Sequence, residues 1–176
     1  MWRFCILLGF LARLSASAKQ EEMDSGNITF EAPDDFTPLT PQEIDVKFPH
    51  HNGPIEAVGS PTRGASISYT VTANAVRPEQ LDDFERYMET ALPKLAPTMQ
   101  WITKDSRTIN GTKWIYFEFT TPDSTGSLIH NIELFTSYHG VLTILNFNAS
   151  APLFNSYEQK LRDGVNSIKI RGAPGV

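Results

Sequence analysis

Four histidines, His50, His51, His130 and His139, are the side chains best suited to metal ligation or to proton transfer near neutral pH. His50 and His51 are adjacent within His50-His51-Asn52-Gly53-Pro54, not four apart on a helix as in common zinc hydrolases, and read as polar turn residues. His139 precedes Gly140 and suits a tight turn. His130 lies in an apolar-rich segment whose alternation puts it on the side of Ile132 and Leu134, opposite Glu133. A partly buried, hydrogen-bonded imidazole accounts for it. An acid–base role is the competing reading, for which the sequence supplies no partner.

Other chemistry is scarce. Neither a glycine-rich phosphate loop after a strand nor a Gly-x-Ser-x-Gly elbow is present. Asp82, Asp83 and Glu85 are explained as the solvated face of a helix. No catalytic set, metal site or cofactor is therefore predicted. Trp101, Trp114, Tyr116 and Tyr138 are the candidates for a ligand- or partner-binding groove, since each joins apolar area to a hydrogen-bonding group. Core packing beneath helices is the alternative use of the same rings.

The N-terminal segment bears on compartment. Residues 1–18 combine a short basic start, an apolar run and Ala16-Ser17-Ala18, the layout of a signal peptide cut before Lys19. Its apolar run is shorter than the roughly 20 residues that an anchor needs. The mature chain is then expected to be periplasmic or secreted, with no integral membrane segment. The one cysteine, Cys5, would leave with the signal, removing both a disulfide and a thiol nucleophile. Loss of Arg3 and Arg13 leaves 13 basic against 20 acidic residues, a net charge near −7. Such a balance gives no support for binding nucleic acid.

The remaining chain predicts one α+β domain over residues 28–170, preceded by a flexible lead-in over 19–27 and followed by a flexible tail over 171–176. Thr40-Pro41-Gln42-Glu43 has an N-cap, a proline at the first helical position and an acid three residues after the cap, so a short helix follows, ending before Pro49. Ala65 to Thr72 reads as a strand with Ile67, Tyr69 and Val71 on one face. Pro78 opens the clearest helix, in which Leu81, Phe84, Met88, Ala91, Leu92 and Leu95 form one stripe, with Asp82 and Arg86 an outward pair. Asn110-Gly111 joins Trp101–Ile109 to Lys113–Thr121 in a tight hairpin. His139-Gly140 joins Leu128–Tyr138 to Val141–Asn148. A final helix carries the stripe at 153, 157, 161, 165 and 168, with Glu158 and Arg162 paired on its outer side. Gly164 within it marks a close approach to the sheet.

The order of these pieces carries a resemblance. Phe30-x-x-Pro33-x-x-Phe36-x-Pro38-Leu39, the Pro78-to-Leu92 helix, the Trp101/Asn110-Gly111/Lys113-Trp114 hairpin, Leu142-Thr143-Ile144-Leu145-Asn146-Phe147 and Ser167-Ile168-Lys169 together resemble the PsbP/Mog1/DcrB-like superfamily, especially its exported bacterial members. The resemblance implies an α-β-α sandwich around a mainly antiparallel, twisted sheet. It also implies a protein that is not an enzyme, since members support photosynthetic complexes, bind a small GTPase or serve in the envelope. No functional residue carries over. Three readings follow: an interaction module with an envelope protein as partner, a small-ligand carrier using a pocket near the sheet aromatics, and a hydrolase centred on His130.

Overall fold

Strand pairing begins at the start of the described chain. The computed structural model describes residues 18–49 and 53–172, so all of the expected signal segment 1–18 except Ala18, together with His50, His51 and the tail from residue 173, lies outside it. The expected flexible lead-in is instead strand β1, Ala18–Met23, laddered residue for residue onto β2, Ile28–Pro33. Composition misled here because an edge strand is held by backbone bonds and needs few buried side chains. Met23, 1% exposed, supplies the anchor. The tail is likewise tied at its start, where the Arg171 N–H donates to the Asn27 carbonyl at 2.8 Å.

β3 (Thr37–Pro38) leads to α1 (Pro41–Lys47), which opens with the expected capping box: Glu43 N–H donates to Thr40 Oγ1 at 3.2 Å and Thr40 N–H to Glu43 Oε2 at 2.8 Å. β4 (Glu56–Gly59) and β5 (Ala65–Ala75) follow. A single 3-10 turn at Pro78–Gln80 enters α2 (Leu81–Leu95). Then come β6 (Gln100–Ile109), β7 (Thr112–Pro122), β8 (Leu128–Tyr138), β9 (Val141–Ser150), α3 (Ala151–Ser167) and β10 (Lys169–Ile170). Asn110 and Gly111, and His139 and Gly140, all take positive φ, as the two tight hairpins require.

Seven strands form one antiparallel sheet in the order β3-β4-β5-β9-β8-β7-β6, and β1-β2-β10 form a second, smaller one. The large sheet is covered on both faces. Trp114, Tyr116, Ile67, Tyr69, Leu145 and Phe147 face α3 and the small sheet. Ile115, Phe117, Phe119, Phe135 and Leu142 face α2. β7 is accordingly buried along most of its length, as its two half-apolar faces predict. The expected stripe of α2 holds at Leu81, Phe84, Met88 and Leu92 but not at Leu95, which is 78% exposed. Its outward pairs also differ: Arg86 bonds Asp83, and Asp82 bonds Lys113 of β7.

Helix α3 packs against β2 and against β9, and so joins the two sheets. Gly164 makes this approach possible, because a Cβ there would stand 2.6 Å from the Glu31 carbonyl oxygen and 3.1 Å from the Phe147 ring. Among the described residues no helix is long and apolar enough to cross a membrane.

Candidate functional site

Beneath α3 the sheet carries one buried carboxylate. Alternation along β7 turns Trp114, Tyr116 and Glu118 toward the helix. The β7–β8 register sets His130 opposite Thr120, one diagonal step from Glu118. On α3 the four-residue spacing of Phe154, Glu158 and Arg162 lines one helical face above them.

These elements close a four-membered polar cluster. Arg162 donates from Nη2 to Glu118 Oε1 at 2.7 Å and from Nη1 to Oε2 at 3.1 Å. His130 Nε2 meets Oε1 at 2.7 Å, and the Tyr116 hydroxyl donates to Oε2 at 2.8 Å. A carboxylate only accepts, so His130 carries its proton on Nε2 toward Glu118. Arg162 Nη1 also donates to the Tyr116 oxygen at 3.1 Å, and its Nε to Glu158 Oε1 at 3.0 Å, which keeps the outward pair read from the sequence. The His130 ring lies flat on Phe154, with centroids 3.5 Å apart and planes 7° from parallel. The Arg107 guanidinium covers the Tyr116 ring at 3.4 Å.

The electrostatics follow from this packing. Glu118 is 3% exposed, and burial alone would raise its pKa; the bonds from His130, Arg162 and Tyr116 outweigh that and hold the carboxyl well below the usual range. Arg162 is pushed above its ordinary value, chiefly by its bond to Glu118. Burial, then the Glu118 carboxylate, push the Tyr116 hydroxyl up to about 12. A carboxylate offers about four lone-pair sites, and Glu118 receives four bonds. It is saturated and ionised, the opposite of a general base poised near neutral pH.

The four aromatic candidates do not form a groove. Trp114 and Tyr116 are closed to solvent in the core under α3. Tyr138 packs at the margin of that core. Trp101 stands on the other face, edge-to-face with Phe117 at 5.2 Å and with Phe119 at 5.7 Å. Tyr116 reaches a cavity of about 70 Å³ shared with Arg107, Arg162, Val165 and Asn166, well below the size of small-molecule pockets. Among the described residues no group of three His, Cys, Asp or Glu side chains is placed to hold a metal. His139 sits exposed in its turn, as expected.

Sequence reasoning missed the partner of His130. The signal was Glu118 itself, an acid in the Trp114–Tyr116 alternation; its helical partner Arg162 is 44 residues away, beyond any local pattern.

Comparison with known proteins sharpens the architecture. No protein-family model matches the chain, and no curated protein is similar to it in sequence. Solved structures do match. The solution structure of cyanobacterial PsbP (CyanoP) from Synechocystis sp. PCC 6803 aligns with TM-score 0.55 and 14% identity over 96% of this chain and 98% of that one. LpqN of Mycobacterium tuberculosis, described as involved in cell envelope biogenesis, aligns with TM-score 0.57 and 13% identity over 88% and 90%. PA94 of Pseudomonas aeruginosa, a protein of unknown function described as a putative regulator, aligns with TM-score 0.53 and 13% identity over 88% and 97%. Identities at this level speak to architecture alone. Three helices packed about a mostly antiparallel sheet, spanning nearly the full length of such neighbours, give this chain the PsbP/Mog1/DcrB-like fold.

Proposed function

We propose that the protein is a non-enzymatic interaction module, periplasmic or secreted, that supports an envelope-associated complex. The observation that carries this reading is the saturation of Glu118: this carboxylate, buried against His130, spends every lone pair on holding α3 to β7 and β8. Glu118 occupies only Nε2 of His130, so a hydrolase would have to work through Nδ1, and among the described residues no serine, threonine or other nucleophilic side chain is bonded to that atom. The signal-like segment 1–18 and the description of LpqN as an envelope-biogenesis protein favour an extracytoplasmic setting.

Affinity capture from gently solubilised native envelopes tests the reading. A reproducibly enriched partner, lost when the bait is unfolded, is the expected result. A protein that stays monomeric and enriches nothing across detergents would overturn it.

A further inference from the structure

The small and large sheets stop short of each other along one side, leaving a gap of about 200 Å³. Glu21, Glu22 and Met23 line one wall and Ile55 to Val58 the other, with Leu39 and Ile44 beneath. Successive strand residues point to opposite faces, so a gap that touches three or four in a row meets each strand along its backbone edge. Among the described residues both edges are open there. β1 is terminal in its sheet, and β3 pairs with β4 only at Val58 and Gly59. Leu39 N–H takes the Ala57 carbonyl at 2.8 Å, leaving the Ile55–Glu56 stretch of that edge uncovered. An unpaired strand edge is a template for another strand.

Charge and apolar exposure narrow what would fit. Among the described residues the walls carry three carboxylates and no cationic side chain. Glu21 is paired with Lys19, and Glu56 Oε1 accepts the Asp24 N–H at 3.1 Å, while Glu22 has no ion pair among the described residues. Ile55, on the rim, is left 54% exposed. The other terminal edge of the large sheet is broken by a bulge in β6 between Trp101 and Thr103, a device that discourages strand addition there.

We propose that an extended segment of a partner protein, bearing lysine or arginine between apolar residues, docks in this gap by pairing with the β1 edge, its cationic side chains facing the carboxylates that line the two walls. The inference rests on the interaction-module reading and names the chemistry of the partner.

The test uses two acetylated heptapeptides, one alternating valine and lysine and one with glutamate for lysine, titrated into the 15N-labelled protein. The lysine peptide should shift the amides of Glu21–Met23 and Ile55–Ala57, and the glutamate peptide should not. Affinity should fall on the order of tenfold in a Glu22→Gln/Glu56→Gln variant, and comparably as salt rises from about 50 to about 300 mM. Glutamine at 56 keeps an oxygen for the Asp24 N–H, and unchanged spectral dispersion checks that the variant folds. Equal response to both peptides, shifts centred on β6, or no shift at millimolar peptide would overturn the assignment. If the double variant still captures the envelope partner at full strength, the surface is wrong and the module reading stands. If the lysine peptide binds here but intact protein captures nothing from envelopes, the surface stands and the module reading falls.

Discussion

Arg162 grips both oxygens of Glu118 from a helix 44 residues further along the chain. Removing the guanidinium in Arg162→Ala leaves a carboxylate that is 3% exposed with only His130 and Tyr116 as donors. The expected loss is about 2–4 kcal/mol, somewhat discounted because the arginine side chain is 34% exposed. Glu158→Ala, which removes the outer partner alone, should cost under about 1 kcal/mol. Urea denaturation midpoints of the two variants, compared at a common slope, decide the ranking.

Acid should attack the same cluster. The folded-state pKa of Glu118 is depressed, so its contribution is fully present above the unfolded value of 4.5 and is lost as pH falls below it toward the depressed folded value. Stability measured from pH 6 down to pH 3 should fall more steeply for the native chain than for Glu118→Gln. Parallel acid limbs in the two proteins would remove Glu118 as the cause.

Glu133 behaves in the opposite sense. It lies between Phe117 and Asn146 across the sheet, and burial, with no charged neighbour to offset it, pushes its pKa up to about 7. The side chain keeps some accessible surface, so the effect on stability is at most a few kcal/mol. The folded state binds the extra proton between 4.5 and about 7, so this group makes stability decline as pH rises through that window. Asn146, its register partner on β9, has a side-chain oxygen that is buried without a partner among the described residues. Glu133→Gln should flatten the decline and stabilise the protein at pH 8 by about 1–3 kcal/mol; a variant with the native pH profile would count against it.

Gly164 should not tolerate a methyl group. Alanine favours a helix over glycine by about 1 kcal/mol, yet its Cβ would press on a backbone carbonyl, which cannot swing aside as a side-chain end can. Gly164→Ala is expected to lower stability by about 1–3 kcal/mol, read from the thermal midpoint. A gain in stability would mean that β2 yields easily.

Local rules made much of this architecture legible. The Thr40–Glu43 box, the Asn110-Gly111 and His139-Gly140 turns and the stripe from Leu81 to Leu92 each depend on residues close in sequence, and the structure keeps them. What escaped depends on distant partners. Nothing in Lys19 to Glu22 marks a strand until β2 lies beside it, and Glu118 is an anomaly within β7 until β8 and α3 bring His130 and Arg162. The aromatic candidates escaped for another reason: alternation fixes which faces Trp101 and Trp114 take but not whether either meets water, which only the helices above them decide.

Ile28, Phe30 and Ile170 of the three-stranded sheet have no hydrophobic interior of their own and lean on the layer that includes Leu161 and Val165 of α3. That helix therefore acts as a keystone. A proteolytic nick that loosened it would release both β layers together, so the small sheet has no independent life and the chain should come apart in one step.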